Sequence, residues 1–77
     1  MNAMARNIAS FYGTEVLEEL ISLLKSGTSL AEIGRRMNVS RQRVHQWKQQ
    51  LGKEVTVWEP DPSVLETIQK LKNKQGG

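Results

Sequence analysis

Three residues, Asn38-Val39-Ser40, separate two short amphipathic segments, and they constrain the fold more than any other part of the chain. On the N-terminal side, "SLAEIGRRM" opens on Ser29, which stands at capping-box spacing from Glu32. Leu30, Ile33 and Met37 share one face of a helix over about 30–37. Asn38 tolerates a left-handed backbone better than most residues. Ser40 is a good N-cap for the next helix, and "RQRVHQWKQQL" then runs to Gly52, which reads as a helix stop. At ~100° per residue, Val44, Trp47 and Leu51 cluster on one side of that second helix. Gln42, His45, Gln46 and Gln49 lie opposite, with Arg41 and Lys48 on one edge of the polar face and Arg43 on the other. Helices joined by so tight a turn must cross closely, so the first needs a small residue toward the second. Gly34 stands there. Ile33, Met37, Val39, Val44 and Trp47 occupy the inward positions that fix the crossing angle.

The flanking sequence supplies what this pair packs against. In "TEVLEELISLLKSG", Thr14 can cap, and Glu15, Glu18 and Glu19 sit where the helix dipole favours acids. Val16, Leu17, Leu20, Ile21, Leu23 and Leu24 give a wide apolar stripe, and Gly27 terminates the helix, predicted over about 15–26. Residues 1–13 show no clear period and read as a short helical or irregular arm, in which Ile8, Phe11 and Tyr12 are apolar enough to pack. "EVTVWEP" alternates and is β-branched, predicting one strand over about 54–58, ended by Pro60. "DPSVLETIQKLKNK" predicts a helix over about 62–73, capped by Asp61 or Ser63, with a Val64, Leu65, Ile68 and Leu71 stripe; "NKQGG" should fray. The expected fold is mainly α: a three-helix helix-turn-helix domain over 14–53, then a short β-strand and a C-terminal helix over 54–77.

The charge is unevenly distributed. From Ile33 to Lys53 stand Arg35, Arg36, Arg41, Arg43, Lys48 and Lys53 with no acid, whereas the whole chain carries only +3. A basic segment on a slightly acidic body is the electrostatic footprint of nucleic-acid contact. The chain has no cysteine and one histidine, which leaves no disulfide, no thiolate site and no His-rich metal site. No apolar run approaches the roughly 18 residues of a membrane span, and no signal-peptide pattern opens the chain. A cytoplasmic location, no membrane contact, no cofactor and no small-molecule ligand are expected. Paired carboxylates in a plausible pocket, a nucleophile–base pair and a Gly-rich phosphate loop are all missing from the pattern, so an enzyme is not expected.

"SLAEIGRRMNVSRQRVHQW", residues 29–47, resembles the helix-turn-helix of bacterial and phage DNA-binding proteins. It is similar to the promoter-reading segment of sigma factors, and to small phage regulators and the N-terminal part of insertion-sequence transposases. The resemblance implies that Arg41, Gln42, His45 and Gln46 face the major groove of double-stranded DNA. Gln42 stands where the sigma-like pattern has an acid and His45 where it has an arginine, and the other sigma regions are missing.

Side-chain chemistry agrees with a base-reading role for those residues together with Gln49. Arginine pairs bidentately with guanine, and glutamine with adenine. A histidine can donate to guanine or pack on a thymine methyl. Thr28, Ser29, Arg35, Ser40, Arg43 and Lys48, with the helix N-termini, are the candidate phosphate contacts that set register. The competing reading is a solvated polar face. It is the preferred one for Arg36, Lys53 and the lysines from 70 to 74, and Trp47 is expected in the core.

A lone strand needs a hydrogen-bonding partner. The simplest is the same strand of a second chain, which predicts a homodimer through residues 54–73 presenting two recognition helices about 34 Å apart. The alternative is a segment folded back on its own helices with Trp58 plugging the core. The function expected is a sequence-specific transcriptional regulator, a small repressor of phage, plasmid or mobile-element type. The alternative is a DNA-binding accessory of recombination, transposition, packaging or partition.

Overall fold

The computed structural model of the chain describes residues 2–76. Five helices and one two-stranded sheet follow in the order α1 (Ala3–Tyr12), α2 (Thr14–Lys25), α3 (Leu30–Met37), α4 (Arg41–Leu51), β1 (Gly52–Glu54), β2 (Trp58–Pro60) and α5 (Pro62–Gly76).

The core is organised on α2, whose stripe buries Leu17, Leu20, Ile21 and Leu24. Ala5 and Ile8 of α1, Ile33 of α3, Val44, Trp47 and Leu51 of α4, Trp58 of β2 and Val64 of α5 close around it. Each large side chain removed from water contributes about 1.5–3 kcal/mol before the entropy of ordering is set against it. Residues 3–12 are thus a packed helix rather than a loose arm. Asn2 opens α1 by accepting the Ala5 N–H on its Oδ1. Phe11, expected to pack, is instead 87% exposed, because Ala5 and Ile8 fix the buried side of α1 and Phe11 falls beyond it.

Helix boundaries follow local chemistry, with several corrections. Thr14 does not cap α2. Gly13 does, at φ 102°, and Thr14 is buried as the first helical residue. Gly27 ends α2 at φ 78°, with its N–H donating to Leu24 O and the Thr28 N–H to Leu23 O. The Ser29 hydroxyl accepts the Glu32 N–H, but the Glu32 carboxylate does not reach back to complete the box. It binds Arg35 and Arg36 instead. At the start of α5, Asp61 takes the capping role by accepting from the Ser63 N–H and hydroxyl, and these donors hold its carboxyl below the usual range. Glu66 pairs with Lys70. α5 continues to Gly76, and Gly77 lies outside the described residues.

The largest difference lies between α4 and α5. The predicted strand over 54–58 is two strands, and its middle is the turn. β1 and β2 pair antiparallel in the register Gly52 with Pro60, Lys53 with Glu59 and Glu54 with Trp58, leaving Val55, Thr56 and Val57 at the tip. The strand therefore finds its partner within the chain, and the need for a second chain's strand disappears. Trp58 plugs the core, 5% exposed. Its indole N–H donates to Lys48 O at 2.9 Å, and the Asp61 N–H donates to Leu51 O at 2.8 Å. The hairpin thus satisfies two of the carbonyls that a helix C-terminus leaves orphaned.

α5 turns back onto α1 and α2. Val64 and Thr67 are buried, with Ile68 and Leu71 partly so. Leu65, ~100° around the helix from Val64, is 53% exposed. Thr67, outside the predicted stripe, is buried beside Val64, and its hydroxyl is used twice. It accepts the Asn2 N–H at 2.8 Å and donates to Ser63 O at 2.7 Å.

Candidate nucleic-acid interface

Asn38 adopts φ 59°, ψ 45°, the left-handed region that ends α3. The Val39 N–H then returns to Gly34 O at 2.9 Å, closing the turn onto the helix it leaves. A Cβ at Gly34 would stand 2.8 Å from Val39 O and 3.5 Å from the Arg41 nitrogen. The small residue is required where the sequence placed it, although its nearest neighbour is the turn backbone rather than the body of α4. Ser40 opens α4 by accepting the Arg43 N–H at 3.1 Å; its own hydroxyl proton remains free to donate.

α4 is held from below by Val44, Trp47 and Leu51, all buried. Trp47 also packs edge-to-face on Tyr12 of α1, ring centroids 5.8 Å apart. Such a contact adds about 0.5–1.5 kcal/mol beyond area burial and fixes the roll of the helix. The outward residues are then those predicted: Arg41, Gln42, Arg43, His45, Gln46 and Gln49 are all exposed. Among the described residues, no other protein side chain forms an ion pair or hydrogen bond with theirs.

Two elements flank this face. On the Lys48 edge, the β-hairpin forms a groove with α4 that His45, Lys48, Gln49 and Glu54 line. On the Arg43 edge, α1 forms another, lined by Asn7, Phe11, Arg43 and Gln46. Neither wall was foreseen. The hairpin wall depends on a strand break the alternation concealed, and the α1 wall on a helix without a strong apolar period.

The predicted phosphate contacts divide. Ser29 and Ser40 are exposed at the N-termini of α3 and α4, and Thr28 is half-buried beside Ser29. Arg43 is exposed and unpaired. Arg35 is exposed but bound to Glu32, and Arg36 is shared between Glu32 and Glu19. Hydrogen bonds from Arg36 and Arg35 hold the Glu32 carboxyl below its usual range. Lys48 is half-buried, its ammonium 2.6 Å from Glu54. The acid-free stretch is therefore trimmed at both ends by the acids just outside it. Among the described residues, the cations of that stretch outside any ion pair are Arg41, Arg43 and Lys53.

Among the described residues, no group of His, Cys, Asp or Glu is arranged to hold a metal ion. No described helix is long and apolar enough to cross a membrane.

Comparison with known families matches residues 18–54 to a family described as a helix-turn-helix domain. The match begins within α2 and ends at β1, so it takes in the turn, α3 and the whole of α4. No curated protein and no solved structure shows significant similarity to the chain.

Proposed function

From a chain that carries a helix-turn-helix domain over residues 18–54, we propose a sequence-specific double-stranded DNA-binding regulator that places α4 in the major groove. One observation carries this reading. The outer face of α4 presents Arg41, Gln42, His45, Gln46 and Gln49 exposed and unpartnered, while Val44, Trp47 and Leu51 hold that face in a fixed orientation. An α-helix fits the major groove, and these side chains match base-edge donors and acceptors there. Arg43, Ser29, Ser40 and Thr28 set the register on phosphates, with Arg35 joining them if DNA draws it from Glu32. The protein acts as a binding module rather than an enzyme, in the cytoplasm, and the regulatory sign proposed is repression, in a phage, plasmid or other mobile element.

The proposal includes a homodimer through residues 54–73. Strand pairing between chains no longer supports it, since β1 and β2 satisfy each other. Its support is the apolar surface left in that segment, with Val55 65%, Val57 60% and Leu65 53% exposed. Sedimentation at tens of micromolar should give the mass of two chains, and a monomer there rejects the dimer without touching the DNA reading.

Selection of bound sites from random duplexes tests the function directly. A recovered consensus supports sequence-specific binding, and two symmetric half-sites about 34 Å apart support the dimer. A site at a promoter favours a repressor; a site at a recombination or terminal repeat favours an accessory of recombination or transposition. Gln46→Ala should relax preference at one base pair by about 1–3 kcal/mol while leaving binding to random duplex nearly unchanged. Equal losses on both would reject the placement of Gln46 at a base edge.

A further inference from the structure

The Lys48–Glu54 pair sits in the groove that the hairpin forms with α4, on the same wall as His45 and Gln49. Two features distinguish it from an ordinary surface ion pair. Lys48 is the more buried partner, its side chain 26% exposed against 66% for Glu54. The hairpin itself is anchored to the backbone of the same turn of α4, through the Trp58 indole on Lys48 O. The backbone that carries Glu54 is therefore held beside Lys48 by an anchored element, and the exposed Glu54 side chain reaches the ammonium from there. Hydrogen bonding from Lys48 holds the Glu54 carboxyl below its usual range.

We propose that Glu54 limits sequence-independent DNA affinity by holding the Lys48 ammonium against the hairpin, out of reach of the phosphate backbone. This rests on the DNA-binding reading above and refines it. Lys48 stands on the edge of the recognition face, where a free lysine would add a phosphate contact on any sequence. Such contacts dominate non-specific binding. With Lys48 engaged, binding leans on the base-reading side chains at the centre of α4, and competition from random DNA falls.

The experiment compares wild type, Glu54→Gln and Glu59→Gln on a random-sequence duplex across a salt series. Glu59→Gln removes the same charge from the same hairpin, but Glu59 is exposed and makes no ion pair among the described residues. One freed lysine that reaches a phosphate steepens the slope of log affinity against log salt by about 0.9, and near 0.1 M salt it raises affinity about fivefold to tenfold. Glu54→Gln should show both changes, and Glu59→Gln should leave the slope at its wild-type value. Thermal melts of each variant check that the hairpin remains folded. A wild-type slope for Glu54→Gln, or the same steepening in Glu59→Gln, overturns the proposal while wild-type binding still stands. Failure of all three proteins to bind any duplex overturns the DNA-binding reading and this inference with it.

Discussion

Replacing Trp58 by alanine is expected to lower the free energy of unfolding by about 4 kcal/mol, within the range for removing a buried indole. A chain of 77 residues has about 4–12 kcal/mol in total, so the loss takes between about a third and all of the stability. The effect has two separable parts. The ring fills the space between the hairpin and the end of α4, where only 5% of it is exposed. Its N–H satisfies Lys48 O. Trp58→Phe keeps most of the packing and leaves the carbonyl without its indole donor, which costs about 1–3 kcal/mol where the group stays dry. Urea unfolding of the two variants measures both parts. A loss below about 1 kcal/mol for Trp58→Ala would mean that the hairpin is not anchored through this ring. Loss of the anchor also releases the element that carries Glu54, so a folded Trp58 variant should bind random duplex with a steeper salt dependence than wild type.

The helix-turn-helix was legible because its constraints are local. A left-handed Asn38, an N-cap at Ser40 and a small residue at Gly34 are each demanded by atoms within a few residues along the chain. The inward and outward faces of α4 follow from its period alone, and Val44, Trp47 and Leu51 are buried as that period requires. The charge map was only half legible. Glu32 lies three and four residues before Arg35 and Arg36, a spacing that brings side chains together on any helix. Glu32 lies one residue before the acid-free stretch that begins at Ile33, so the pairing does not show in the charge of that stretch. Glu54 lies six residues beyond Lys48, and no helical or strand period joins them; only the hairpin does.

The hairpin was missed for a physical reason. Val55, Thr56 and Val57 are β-branched and alternate with their neighbours, which is the pattern of a strand interior, and no glycine or asparagine marks the turn. The chain turns there because the buried Trp58 ring, packed close against Gly52, anchors the hairpin to the end of α4 and α5 must start at Pro62. Tertiary packing overrides local propensity, and the valines are left exposed at the tip. Similarly, α1 carries too few large apolar residues to announce itself, yet Ala5 and Ile8 suffice because α2 and α5 meet them from both sides.

Gly52 gives the sharpest test of that account. As a simple helix stop, it would owe its identity to a left-handed backbone. Its φ is −176°, an extended conformation open to any residue, so conformation places no demand on it. The demand is space. A Cβ at Gly52 would lie 2.1 Å from Glu59 O and 2.7 Å from Cζ2 of Trp58. The first neighbour is backbone of the paired strand and the second is a ring packed into the core, so neither can yield cheaply. Gly52→Ala should therefore force β1 and β2 apart and tilt the indole, at a cost of about 3 kcal/mol or somewhat more. At Gly34 the same substitution meets Val39 O at 2.8 Å but regains up to about 1 kcal/mol of helix propensity. Gly52 lies outside the helix and has no such offset. Urea unfolding with Trp fluorescence reads the loss, and the indole environments should change with it. A Gly52→Ala protein as stable as wild type would show that the close approach of Glu59 and Trp58 is not a feature of the folded chain. The hairpin's hold on Lys48 would then lose its structural basis.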